Sequence, residues 1–107
     1  MPYGYQGKIL RVNLSDSAIT IEEPGDNFYR SYLGGRSVIA YYLLKETQPG
    51  IDPLGPENVL IMAGGPVTGV PIGGAGRNSG GAKSPLTDGF GDAEVGGWFG
   101  AAFKHAG

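Results

Sequence analysis

Val59-Leu60-Ile61-Met62-Ala63-Gly64-Gly65-Pro66 is the stretch on which the fold turns: five apolar residues run straight into two glycines and a proline. A continuous apolar run of this length suits a strand covered on both faces. The glycines that follow end it in a tight loop. Composition changes at the same point. Of the 21 glycines, fourteen lie from Ala63 onward and seven before it. Residues 1–107 therefore read as one domain, with residues 1–62 as a scaffold half and residues 63–107 as a glycine-rich half carrying the candidate site.

Working back towards the amino terminus, Leu10, Val12 and Leu14 alternate with Arg11 and Asn13, the period of a half-buried strand. Ser15-Asp16-Ser17 supplies a turn, and Ile19 and Ile21 alternate with Thr20 and Glu22, so the spacing predicts an antiparallel hairpin. Pro24-Gly25 closes it, and Asp26 or Asn27 is placed to cap a short helix through Tyr32. Gly34-Gly35 ends that helix, and residues 37–47 read as another. Its apolar residues cover most of the circumference, so it should be buried on more than one side. Core packing is the plainer role for its Tyr41-Tyr42 pair. Pro49-Gly50 stops the helix, and Pro53 and Pro56 stiffen the approach to the apolar run.

Working forward, Gly69, Gly73, Gly74 and Gly76 continue the loop, and Arg77 follows directly. Glycine lets backbone N–H groups approach a ligand without a Cβ in the way, and consecutive N–H groups can form a nest for an anion. The planar fork of Arg77 suits phosphate or carboxylate. A solvated surface Arg is the plain alternative. Neither nucleotide-binding fingerprint survives: Ser79 stands where a third glycine belongs, and Pro85 would break the helix a P-loop needs. Residues 78–82 fit a short strand and residues 83–89 a turn-rich connection. Glu94 then precedes a second bend, Gly96-Gly97, ahead of helical residues 98–104, whose free N–H groups offer a second polar contact point. Glu94 is either an acceptor for ring N–H groups or a solvated carboxylate. Trp98 and Phe99 are expected in the core, and His105 has no partner motif.

Glycine and proline make up 29 of 107 residues, but 40% apolar and 10% aromatic content point to a packed core rather than disorder. With no cysteine, a disulfide framework, a zinc ribbon and a thiolate-held iron–sulfur cluster are excluded within this chain. A single histidine excludes an all-histidine metal site. Eight basic against ten acidic residues give no bulk attraction to nucleic acid or to an anionic membrane. No apolar run approaches the ~20 residues of a membrane span, and the Met1 end lacks a signal-peptide pattern, so a cytoplasmic location is expected. The expected fold class is α+β, with a mixed or mostly antiparallel β-sheet, two or three helices and glycine-rich loops in the C-terminal half. No nucleophile–base pair, carboxylate dyad or metal constellation is visible, so no residue is assigned as catalytic or metal-binding.

Six collinear blocks add a resemblance. Gly7-Lys8-Ile9-Leu10-Arg11-Val12-Asn13-Leu14, Tyr32-Leu33-Gly34-Gly35-Arg36 and Asp52-Pro53-Leu54-Gly55-Pro56-Glu57-Asn58 are the first three. Ala63-Gly64-Gly65-Pro66-Val67-Thr68-Gly69, Lys83-Ser84-Pro85-Leu86-Thr87 and Gly96-Gly97-Trp98-Phe99-Gly100 complete the set. Together the chain resembles the amino-terminal domain of the tungsten-containing aldehyde ferredoxin oxidoreductase family. The resemblance implies oxidation of aldehydes to carboxylic acids, with electrons passed through a 4Fe-4S cluster to ferredoxin. It also implies tungsten, or molybdenum, held by two pyranopterins whose phosphates are bridged by magnesium, with the amino-terminal domain as the base for that cofactor.

On this resemblance Arg77 sits at a pterin-contacting position and Gly96 meets the cofactor through its backbone. Glu94 takes a cofactor-contacting position where the family commonly has Asn; an ionised Glu only accepts hydrogen bonds. The resemblance further implies that the chain is a fragment, a split-gene product or an expressed piece. It would span about half of the family's amino-terminal domain and be inactive alone, with the cluster in the missing remainder. Its expected partners are that remainder or a self-associated copy, and ferredoxin for the complete enzyme. The alternative is a stand-alone module that associates with itself or with a partner and has no enzymatic activity.

Overall fold

The computed structural model describes residues 4–107. Its elements are β1 (Ile9–Asn13), β2 (Ala18–Glu22), α1 (Asp26–Tyr32), α2 (Arg36–Glu46), β3 (Ile61–Gly64), β4 (Asn78–Lys83), β5 (Phe90–Val95) and α3 (Phe99–His105). The fold is α+β, and every strand pairing is antiparallel. One sheet is the β1–β2 hairpin and the other is the meander β3-β4-β5, with β4 in the middle.

The core forms where α2 lies across β3 and β4. Ile39 is fully buried, with Val38, Tyr42, Leu43 and Ala63 around it. The close approach rests on the small residues of β4: a Cβ on Gly81 would stand 2.6 Å from Ile39 Cγ2. Phe28, Tyr32, Tyr41 and Tyr42 pack edge-on or tilted between α1 and α2, so the tyrosine pair serves packing as expected. The irregular segment before β3 is tied down by Asn58. Its Nδ2 donates to the carbonyls of Pro53 (2.8 Å) and Lys83 (3.0 Å), and its Oδ1 accepts from the Lys83 N–H at 3.1 Å. One side chain thus substitutes for a strand partner at the end of β4.

Several expectations need correction. The apolar run does not form a strand over residues 59–63 covered on both faces. The strand starts at Ile61, and Leu60 and Met62 are 75% and 45% exposed. Strand β3 pairs only with β4 and keeps an open outer edge among the described residues. Neither Asp26 nor Asn27 caps α1; its N-cap is Gly25, without a side-chain cap. Strand β5 forms over Phe90–Val95, residues to which the sequence reading assigned no element. Trp98 is not in the core: it is 91% exposed, and Phe99 is 50% exposed.

The expected antiparallel hairpin is present but is turned over. Leu10 faces Ile21 and Val12 faces Ile19 across the two strands, on one face. That face points outward, with all four residues more than half exposed. The other face turns in at its Ile9–Glu22 end, where Ile9 packs against the core beside polar groups. Arg11 donates to Glu46 at 2.8 Å and to Glu22 at 3.3 Å, and the Tyr42 hydroxyl donates to Glu22 at 2.9 Å. Hydrogen bonding from Arg11 holds the Glu46 carboxyl below its ordinary 4.5. Burial, with the bond to Glu22 second, pushes the Tyr42 hydroxyl well above its ordinary value.

Candidate functional site

The site grows from the pairing of β4 with β5. Asn78 faces Val95 and Ser79 faces Glu94, so continuing the register places Arg77, just before β4, across from Gly96, just after β5. A Cβ on Gly96 would lie 4.0 Å from Arg77 Nε. The Glu94 carboxylate lies 3.9 Å from Arg77 Nη1. The three residues singled out in the sequence therefore meet at one end of the sheet.

The glycine loop leading to Arg77 is held from within. The Thr68 hydroxyl donates to the Arg77 carbonyl and accepts from the Gly65 N–H, both at 2.8 Å, while the residue is 5% exposed. The Gly69 N–H donates to Ala75 O at 2.7 Å. Lys104 of α3 reaches over to donate to the carbonyls of Gly65 (2.8 Å) and Pro66 (2.7 Å). Burial lowers its ammonium below the ordinary 10.5, and the two carbonyls supply partners for the charge. Arg77 thus leaves a fixed backbone while its side chain is 69% exposed.

The glycines divide into two kinds. Gly76 and Gly100 let backbone meet backbone: a Cβ on Gly76 would stand 2.7 Å from Gly97 O, and one on Gly100 would stand 2.6 Å from Gly76 O. These two make the first loop and the second bend touch. At Gly73, Gly74 and Gly97 nothing lies within 4 Å of an added Cβ. These three leave backbone open to an approaching group. The sequence reading assigned Gly73, Gly74, Gly76 and Gly97 to ligand approach, and contact within the protein accounts for Gly76.

Sequence reasoning missed Arg36 and Asp92. Arg36, the first residue of α2, pairs through Nε with Asp92 Oδ2 at 2.5 Å and donates from Nη2 to Glu94 Oε1 at 3.2 Å. Glu94 therefore stands between two guanidinium groups, and the four charges balance. Arg36 follows Gly34-Gly35 just as Arg77 follows Gly76, which is the signal that could have found it. Beside Arg77, Asn78 is 3% exposed and its Oδ1, against Gly100, lacks a partner among the described residues. No group of three or more His, Cys, Asp or Glu able to hold a metal occurs among the described residues. Among the same residues, no helix is long and apolar enough to cross a membrane.

Comparison with known proteins bears on this arrangement. The family model described as "Aldehyde ferredoxin oxidoreductase, N-terminal domain" matches residues 9–107. The tungsten-containing aldehyde ferredoxin oxidoreductase of Pyrococcus horikoshii is 50% identical over 105 residues, 98% of this chain and 17% of that protein. The WOR-like subunit of an aliphatic sulfonate oxidoreductase from Pyrococcus furiosus is 37% identical over 70 residues, 63% of this chain and 11% of that protein. In a solved structure, the active-site complex BamBC of benzoyl coenzyme A reductase with 1,5-dienoyl-CoA, one chain matches all of this one. The TM-score is 0.94 at 32% identity, over 16% of that longer chain. The present chain spans about a sixth of the length of the relatives it matches across its whole extent.

Proposed function

Because the chain belongs to the aldehyde ferredoxin oxidoreductase N-terminal domain family, we propose that it is the base on which a tungsten (or molybdenum) pterin cofactor lies. On this reading residues 63–107 are the cofactor-facing half, residues 1–62 are its scaffold, and the segment is not catalytic alone. The observation that carries the reading is the convergence of Arg77, Glu94 and Gly96 at one end of β4–β5. A second support comes from the relatives. Their names refer to an aldehyde, an aliphatic sulfonate and benzoyl-CoA, while a TM-score of 0.94 spans this whole segment in the last. A fold that persists over the whole segment in a relative named for a different substrate suits a common cofactor better than substrate choice.

The residues fit such a group. Arg77 offers charged donors to a pterin phosphate or a ring carbonyl. The unobstructed backbone at Gly73, Gly74 and Gly97 leaves room for close approach, and Gly96 presents no side chain beside Arg77. Glu94, an acceptor only when ionised, would receive pterin ring or amino N–H groups. The paired Arg36 offsets its repulsion of nearby phosphate. When bound, the metal–pterin group supplies the redox chemistry. This chain positions it. The 50%-identical relative favours aldehyde oxidation to carboxylic acid with ferredoxin as acceptor for the complete enzyme. A bridging magnesium and a 4Fe-4S cluster would be supplied with or by the remainder.

The test replaces the matched residues of the Pyrococcus horikoshii relative with this chain and introduces Gly96→Val. An added Cβ meets nothing closer than Arg77 Nε at 4.0 Å, so the fold should hold. The bulk should nevertheless keep the cofactor away, lowering tungsten and pterin content by about tenfold or more. Unchanged content with an unchanged fold would remove Gly96 from the site.

A further inference from the structure

The hairpin has its faces the opposite way round from an isolated domain, and its polar side is anchored. Arg11 and Glu22 hold that side to Glu46 and Tyr42 of α2, so the outward direction of the other face is set by named contacts. Leu10, Val12, Leu14, Ile19 and Ile21 on that face are 51–89% exposed and carry no charge among them. They make a continuous apolar surface on the order of 500 Å², comparable with the largest patches that monomeric proteins leave in water.

We propose that this face is a docking surface covered by an apolar surface from the rest of the enzyme polypeptide. The inference rests on the reading that the chain is part of a larger pterin enzyme. Two observations favour that occupant over a second copy of the chain. First, relatives that match this chain along its whole extent are about six times its length, and one contains its fold at a TM-score of 0.94. Second, apolar exposure is not confined to the hairpin. Leu60 just before β3 and Trp98 before α3 are 75% and 91% exposed. One two-fold contact buries a single patch on each copy. A longer polypeptide wrapped around the domain can cover several.

Hydroxyl-radical footprinting read by mass spectrometry tests this on two proteins: the 107-residue chain, and the same chain set in place of the matched residues of the Pyrococcus horikoshii relative. The expected result is that Leu10, Leu14, Ile19 and Ile21 react freely in the short chain and about fivefold less in the long protein. Equal reactivity in both overturns the proposal. Protection in the short chain, with sedimentation as a dimer that Ile19→Glu converts to monomer, also overturns it and makes a second copy the occupant. If the fusion does not fold, the footprint is taken on the short chain before and after adding the relative's separately expressed remainder, and no change on mixing counts against the proposal. Metal content is measured on the same samples. Protection without tungsten would leave the docking surface standing and count against the cofactor reading alone.

Discussion

At the scale of single residues, the fold depends most on places where backbone passes close to backbone. Gly34 has φ +152, and an added Cβ would stand 2.5 Å from Gly64 O and 2.9 Å from Gly65 Cα. Neither neighbour can yield, because the Gly35 N–H is bonded to that same Gly64 carbonyl at 3.0 Å. Gly34→Ala should therefore cost about 3 kcal/mol in urea unfolding. Gly50 also has positive φ, +80, but nothing lies within 4 Å of an added Cβ, so Gly50→Ala should cost only about 1 kcal/mol. Equal losses would mean that strain alone, without the contact, decides the cost. The bends beside Arg77 and Gly96 were legible in the sequence because glycine runs and an adjoining guanidinium are local features. Arg36 and Asp92 were not, because their pairing joins residues 56 positions apart through the fold. Trp98 was misread for a related reason: a large aromatic side chain reports that it needs cover, without saying that this chain supplies it.

At the scale of elements, alternation revealed the hairpin but not which face would turn inward. The inward face was chosen by α2, whose Glu46 and Tyr42 give Arg11 and Glu22 their partners. This predicts an acid-sensitive joint. Arg11 holds the folded-state value of Glu46 below 4.5, so the carboxylate's contribution is whole above that value and is lost as pH falls through the lowered one. Urea midpoints from pH 7 down to pH 3 should fall less steeply for Glu46→Gln than for the parent. Identical slopes would show that the pair contributes nothing, as many exposed pairs do. Strand β5 was assigned no element from the sequence because Phe90-Gly91-Asp92-Ala93-Glu94-Val95 mixes glycine and two acids and carries little strand preference of its own. Pairing along the length of β4 overrides that preference. Helix α2 was legible as an element, but not its burial on more than one side: Val38, Ile39, Tyr42 and Leu43 bury one face, Leu44 is 85% exposed, and Ile39 is the most enclosed residue. Ile39→Ala should lose about 3 kcal/mol, measured by the same unfolding experiment, and a loss below about 1 kcal/mol would mean that the α2–sheet contact is not the core.

At the scale of the whole molecule, the antiparallel meander brings a glycine loop and a glycine bend together at one end of the sheet, with an arginine between them and an acid beside it. The outward hairpin, the open β3 edge and exposed Trp98 mark a domain that presents its apolar surface to other polypeptide. Both properties suit a cofactor base within a larger enzyme. The most direct measurement is the tungsten and pterin content, per mole of protein, of the enzyme-length fusion with Arg77 and with Arg77→Ala, at matched fold by circular dichroism. Loss of one set of charge-assisted hydrogen bonds should lower occupancy about tenfold or more, while the Thr68 clamp, which uses only the backbone of residue 77, keeps the loop in place. Full tungsten and pterin content in Arg77→Ala, with the fold intact, would contradict the account.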